Sequence, residues 1–153
     1  MKIEQDRRRR IELEAYLDKG RGECHLGRAD IAATVEGALL FHHMVQYELR
    51  AWVIMPNHVH LLFQVQDVPM WRLVDAWKGF TAKAANPMLG RKGRFWQEGY
   101  WDTYMRDAEH ESKTRRYIEN NPIKAKLVLF AREWSWSSSR FRDAYGRLCV
   151  ASN

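Results

Sequence analysis

The sequence is poor in cysteine and has no long hydrophobic run. Its two cysteines, Cys24 and Cys149, lie near opposite ends of the 153 residues and form no CxxC spacing, so neither a disulfide framework nor a zinc knuckle is indicated. No apolar stretch is long enough to cross a bilayer. The basic run from Arg7 to Arg10 also lacks the apolar segment that follows it in a signal peptide. We therefore expect a cytoplasmic protein that does not contact membranes.

The composition predicts a globular protein with a polyanionic partner. Hydrophobic residues make up 46% of the chain, which is enough to form a core and excludes a disordered chain. The length predicts one domain, residues 1–153. There are 25 Lys and Arg against 19 Asp and Glu, a net charge of +6, which favours nucleic acid over an acidic membrane.

Two β-strands are predicted at the centre of the chain. The runs from Leu49 to Met55 and from His58 to Val65 are rich in branched and aromatic residues and are separated by a Pro-Asn turn. Because side chains alternate along a strand, His58 and His60 share one face. The pair can form half of a metal site or only a polar rim, and its spacing alone does not decide between them.

Helices are predicted around these strands, including at the start of the chain. Residues from Ile3 to Lys19 read as helical, since no Pro or Gly interrupts them before Gly20. Further helices are expected over residues 31–42, over 71–89 and from Ala108 to about Asn120. A short strand is expected at 101–105, after a basic, glycine-bearing loop over 90–94. No apolar, β-branched strand is evident before Tyr47.

The helix that ends near Asn120 places two polar side chains on one face. Tyr117 and Asn121 are four residues apart, so on a helix they differ by only about 40° in direction. Ile118 points elsewhere and can serve the core.

Five segments occur in order that together resemble a known family. They are WVIMPNHVHLLF, WKGFTAKAAN, GRFWQEGYWDTYMRD, RRYIENNPIKAKLV and WSWSS. The combination of PNHVH with YIxxNP is similar to the REP-associated tyrosine transposases, which are insertion-sequence-200-like, single-tyrosine HUH endonucleases. The resemblance runs from about residue 22 to residue 138. It implies an α+β fold, a ferredoxin-like (RRM-like) antiparallel sheet with helices packed on it.

The resemblance also implies roles for four residues. His58 and His60 would be the HUH histidines, Tyr117 the nucleophile and Asn121 the third metal ligand. Imidazole and amide ligands would accept Zn²⁺, Mn²⁺ or Mg²⁺, of which the family implies Mg²⁺ or Mn²⁺. The product would be a 5′-phosphotyrosine that conserves the bond for rejoining.

The implied substrate is single-stranded DNA near a REP-type hairpin. Residues expected to contact its backbone are Arg91, Lys92, Arg94, Arg115, Arg116 and Lys124, although each is equally consistent with ordinary solvated charge. Relatives of this kind include monomers and homodimers, and both states stay open here.

One departure bears on activity. Family members begin with a β-strand, whereas this chain opens on a helix-like MKIEQDRRRR. We therefore expect the first strand to be missing, which would leave an unpaired sheet edge. An active nicking and rejoining transposase is the first hypothesis. The alternatives are a catalytically inactive hairpin-binding relative and, third, a metal-dependent phosphodiesterase that uses water as its nucleophile.

Overall fold

The chain folds around a four-stranded antiparallel sheet. The computed structural model describes residues 10–18 and 24–150. The strands are β1 (Arg10–Tyr16), β2 (Tyr47–Ile54), β3 (His58–Val65) and β4 (Trp101–Tyr104), in the spatial order β2-β3-β1-β4. The helices are α1 (Ala29–Phe41), α2 (Met70–Met88), α3 (Ala108–Glu119) and the short α4 (Asn121–Lys124). The order β-α-β-β-α-β is that of a ferredoxin-like unit, which confirms the predicted fold class.

The prediction of an N-terminal helix and a missing first strand is wrong. Residues Arg10–Tyr16 form β1, which pairs with β3 on one side and β4 on the other. The sequence RIELEAY alternates apolar and polar residues with period two, and its burial alternates in step. That alternation outweighs the helix propensity of Leu, Glu and Ala, because every second side chain enters the core. The parts of this prediction that concern residues 3–9 and 19 lie outside the described residues.

One face of the sheet packs against α1 and α2. The alternating residues Leu13, Ala15, Leu61 and Phe63 are all buried on this face, in the same cluster as Ile31 of α1. This is the main hydrophobic core, and we call this side of the sheet the core face.

The opposite side of the sheet, which we call the site face, is covered only in part. A smaller cluster there includes Val53, Leu62, Met105 and Ile118. Ile118 belongs to α3, and α3 packs on β2 and β3. The site face is therefore covered by a helix over one pair of strands, beside the exposed edge strand β4.

The predicted strand pair and the later helices are confirmed. Met55 donates its backbone N–H to His58 O at 2.8 Å, which closes the Pro-Asn turn. Asp107 caps α3 by accepting the His110 N–H, as expected for an N-cap carboxylate. No helix within the described ranges is long and apolar enough to span a membrane.

Candidate active site

The two histidines lie side by side on the site face. His60 is opposite Glu14 of β1, and His58 is opposite Tyr16. Strand alternation places both imidazoles on the same face, as predicted. His60 is fully buried, at 0% exposure, whereas His58 is half-buried.

Helix α3 brings Tyr117 to the histidines. Ile118 is buried against the sheet. The residue before it, Tyr117, contacts His60 edge to face, with ring centroids 5.6 Å apart. Tyr117 keeps 48% of its surface exposed. The structure therefore unites the predicted nucleophile with the histidine strand and leaves its ring accessible from solution.

Ionic contacts hold α3 near both of its ends. Glu111 pairs with Arg10 and with Arg50, each at 2.9 Å. Glu119 pairs with Arg142 at 2.9 Å and accepts a hydrogen bond from Ser138. Because these contacts tie the helix to β1, β2 and the C-terminal segment, the placement of Tyr117 is built into the fold.

A carboxylate that the sequence reading missed contacts His60. Glu12 Oε2 lies 3.0 Å from His60 Nε2, and Glu14 Oε1 lies 3.6 Å from the same atom. Because a carboxylate accepts, the proton of the neutral imidazole lies on Nε2, and its lone pair lies on Nδ1. That Nδ1 atom is buried and has no partner within the described chain. The period-two alternation of β1 places Glu12 on the polar face of a strand. The prediction of a helix over this segment hid that signal.

His58 has a similar arrangement. Its Nδ1 lies 2.8 Å from the Asn57 side-chain oxygen. That oxygen accepts a hydrogen bond from Nδ1–H, so the lone pair of the neutral ring lies on Nε2. Burial lowers the pKa of His58 to about 4. Both imidazoles thus have one nitrogen tied to an acceptor, and His58 is neutral at neutral pH, the form that binds metals.

A second phenol, also missed from the sequence, shares the site. The Tyr16 ring stacks on His58 with centroids 4.7 Å apart, and its hydroxyl donates to Glu14 at 2.7 Å. Burial, this hydrogen bond and the nearby Glu14 and Tyr117 raise the pKa of Tyr16 to about 12. Tyr16 is therefore held in the protonated form and is a poorer nucleophile than an unperturbed phenol.

Asn121 lies one turn beyond Tyr117 but outside this hydrogen-bonded group. It is half-buried and is the first residue of α4. No group of three His, Cys, Asp or Glu side chains in residues 10–18 and 24–150 is arranged to hold a metal ion. The metal role of Asn121 with the two histidines stays a prediction.

The predicted DNA-contacting residues fall into two groups. Lys124 lies beside Tyr117, the predicted nucleophile, with its ammonium 5.3 Å from the Tyr117 ring centroid. Arg115 and Arg116 are on α3 next to Tyr117, and Arg115 lines a small cavity together with Arg50. This first group thus lies on or just after the helix that carries Tyr117.

The second group is the loop after α2, with Arg91, Lys92 and Arg94. The Arg91 guanidinium donates to the Arg94 carbonyl at 2.7 Å. This hydrogen bond stabilises the loop. The chain then returns to the end of β1, where Gln97 N–H donates to Tyr16 O at 2.8 Å. The basic loop therefore joins the sheet at the end that carries Tyr16 and His58. Contact of either group with DNA stays a prediction.

Comparisons with known proteins identify related transposases. A putative REP-associated tyrosine transposase of Haemophilus influenzae is 28% identical over 60% of this chain, and the match spans 58% of that relative's length. The solved structure of a REP-associated tyrosine transposase bound to a REP hairpin aligns with a TM-score of 0.73 at 18% identity. That alignment covers 96% of this chain and 87% of the other.

A putative transposase from Deinococcus radiodurans is a second structural match. Its structure aligns with a TM-score of 0.50 at 24% identity, over 72% of this chain and 88% of its own. At such identities the two solved structures show a shared fold. The family model of the IS200-like transposases matches residues 40–121, more than half of the chain, and this segment includes both histidines, Tyr117 and Asn121. The chain therefore belongs to the IS200-like transposase family.

Proposed function

We propose that this protein nicks and rejoins single-stranded DNA beside a REP-type hairpin through a covalent bond to Tyr117. One observation carries the proposal: the accessible Tyr117 ring meets the buried His60 at 5.6 Å on the site face. The relative solved with a REP hairpin makes such a hairpin the first substrate to test.

The reaction is a transesterification. The Tyr117 oxygen attacks the scissile phosphorus and releases its proton to water. The bond from phosphorus to the 3′ oxygen breaks, and that oxygen takes up a proton to become a free 3′-hydroxyl. Because the phosphotyrosine conserves a phosphodiester bond, attack by a 3′-hydroxyl restores a continuous strand and frees Tyr117.

The residues present suit a divalent cation. His60 Nδ1 is a buried nitrogen without a partner in the described chain, and His58 Nε2 carries a lone pair because Nδ1 faces Asn57. These two nitrogens, with the Asn121 amide oxygen, would hold Mg²⁺ or Mn²⁺. When bound, such a cation would polarise the scissile phosphate.

Glu12 has a supporting role in the same proposal. Its carboxylate at 3.0 Å from His60 Nε2 fixes the tautomer and the orientation of the ring. Carboxylates that hold a metal-binding histidine in this way commonly tune its affinity for the ion. Glu12 is thus a positioning residue, acting through His60.

The test uses two phenols in one site. The protein is incubated with Mn²⁺ and a labelled single-stranded oligonucleotide that carries a hairpin, and adducts that survive denaturation are counted. Wild type should form the adduct and Tyr117→Phe should form none. Tyr16→Phe, the matched control, removes a hydroxyl close by and should still form it.

Other outcomes identify the alternatives. Hairpin binding without any adduct would indicate an inactive DNA-binding relative. Cleavage that survives Tyr117→Phe would indicate water as the nucleophile. The reason for expecting inactivity, a missing first strand, no longer holds, because β1 occupies that place in the sheet.

A further inference from the structure

A large aromatic side chain lies exposed beside the candidate site. Trp101, the first residue of β4, has 77% of its surface exposed. An exposed indole offers a large flat surface for contact with a ligand. Trp101 has no role in the reaction proposed above.

The strand register places Trp101 on the site face. Trp101 is the cross-strand partner of Glu14, and Glu14 is the partner of His60. Directly paired residues share a face of an antiparallel sheet. Met105 confirms the assignment, since it lies four residues further along and is buried in the site-face cluster.

Trp101 borders the part of this face that α3 leaves open. Helix α3 packs on β2 and β3, while Glu12 and Glu14 on β1 are only half-buried and all four residues of β4 are exposed. Two strand spacings separate Trp101 from His60, about 10 Å. A strand of DNA with its phosphate at Tyr117 can therefore reach the indole within its neighbouring nucleotides.

Charge indicates which part of DNA fits there. Glu14 is the cross-strand partner of Trp101, and Glu12 is the partner of Thr103 on the same face. Both carboxylates repel phosphate. Carboxylates do accept hydrogen bonds from the exocyclic amino groups of bases, and an indole stacks on any base. A base is thus favoured over the backbone at this position.

We propose that Trp101 is a stacking site for one unpaired nucleobase near the scissile phosphate. The proposal rests on the proposed function, because it takes single-stranded DNA as the ligand. It adds a base-binding position on β1 and β4 to the backbone contacts expected from the basic residues.

The test measures binding without cleavage. In a Tyr117→Phe background, affinity for the hairpin oligonucleotide is measured by fluorescence anisotropy. Trp101→Ala should weaken binding about tenfold, the usual loss for one stacked base, and Trp101→Phe should recover most of it. The matched control is Trp71→Ala, since Trp71 is also an exposed tryptophan, at 56%, but lies on α2 across the sheet. It should bind normally.

Two further readouts separate stacking from other causes. The salt dependence of binding should have the same slope in Trp101→Ala, because no phosphate contact is lost. An abasic site scanned along the single strand should weaken binding at one position, and that effect should disappear in Trp101→Ala, as for two groups in direct contact.

The result that overturns the proposal is equal affinity of Trp101→Ala and its parent. A changed oligomeric state in Trp101→Ala would also overturn it, since the indole would then contact a second copy. These failures leave adduct formation at Tyr117 intact. If wild type forms no adduct but Trp101→Ala still weakens binding, the proposed catalysis is wrong and the stacking site stands.

Discussion

The two faces of the sheet differ in what their alternating residues do. On the core face, Leu13 and Leu61 are buried among α1 and α2. On the site face, their neighbours Glu12 and His60 form a polar pair at 3.0 Å. The same two strands thus supply stability on one side and a candidate catalytic centre on the other. Mutations one residue apart should therefore separate stability from activity.

The largest expected effect is on the core face. Leu13 is fully buried, at 0% exposure, and Leu13→Ala leaves a cavity that the surrounding side chains fill only partly. We expect a loss of about 2–5 kcal/mol in the free energy of unfolding, measured by urea denaturation. A loss well below 1 kcal/mol, about the size of a surface change, would mean that β1 is not anchored as described.

The next effect is a pH dependence on the site face. The folded pKa of His58 is lowered from 6.5 to about 4 by burial, so between these values the unfolded chain binds the extra proton. The free energy of unfolding is therefore unaffected by this group above pH 6.5. It decreases by on the order of 2–3 kcal/mol as the pH drops towards 4. Urea denaturation of metal-free protein should show this fall, and His58→Gln should reduce it. Identical pH profiles for the two proteins would contradict the buried, neutral His58.

Glu12→Gln should affect metal binding more than folding. An amide keeps the shape of the side chain but weakens its hold on the Nε2 proton of His60. We expect Mn²⁺ affinity to fall about 10- to 100-fold, measured by calorimetry, with only a small change in urea stability. Glu48→Gln is the matched control, because Glu48 is a more exposed strand carboxylate that pairs with Arg50 at 3.7 Å. Equal Mn²⁺ affinity in Glu12→Gln and wild type would remove the positioning role.

The smallest expected effect concerns the attachment of α3. Glu111→Gln removes the charge that Arg10 and Arg50 share on the site face. Since all three groups retain some exposure, we expect a loss of about 1–2 kcal/mol in unfolding free energy. Hydrogen exchange should also speed up in α3. An unchanged exchange rate would show that the Glu111 ion pairs do not hold the helix.

Part of the candidate site could be predicted from the sequence, and part depends on strand pairing. The His58 and His60 strand and the Tyr117 helix were predictable, because each follows its own local period and carries a distinctive motif. The contribution of β1 was not, since Glu and Leu favour helices and only the pairing with β3 makes the alternation decisive. The pairing register places Glu12, Tyr16 and Trp101 on the same face as the histidines. Because these strands are far apart in sequence, no local pattern predicts that register.

Mapping the covalent adduct tests the central claim most directly. After incubation with Mn²⁺ and the hairpin oligonucleotide, the denatured protein is digested and the modified peptide is identified by mass spectrometry. We predict a 5′-phosphonucleotide on Tyr117, the phenol that meets His60. A nucleotide on Tyr16, or on any residue other than Tyr117, would contradict the account.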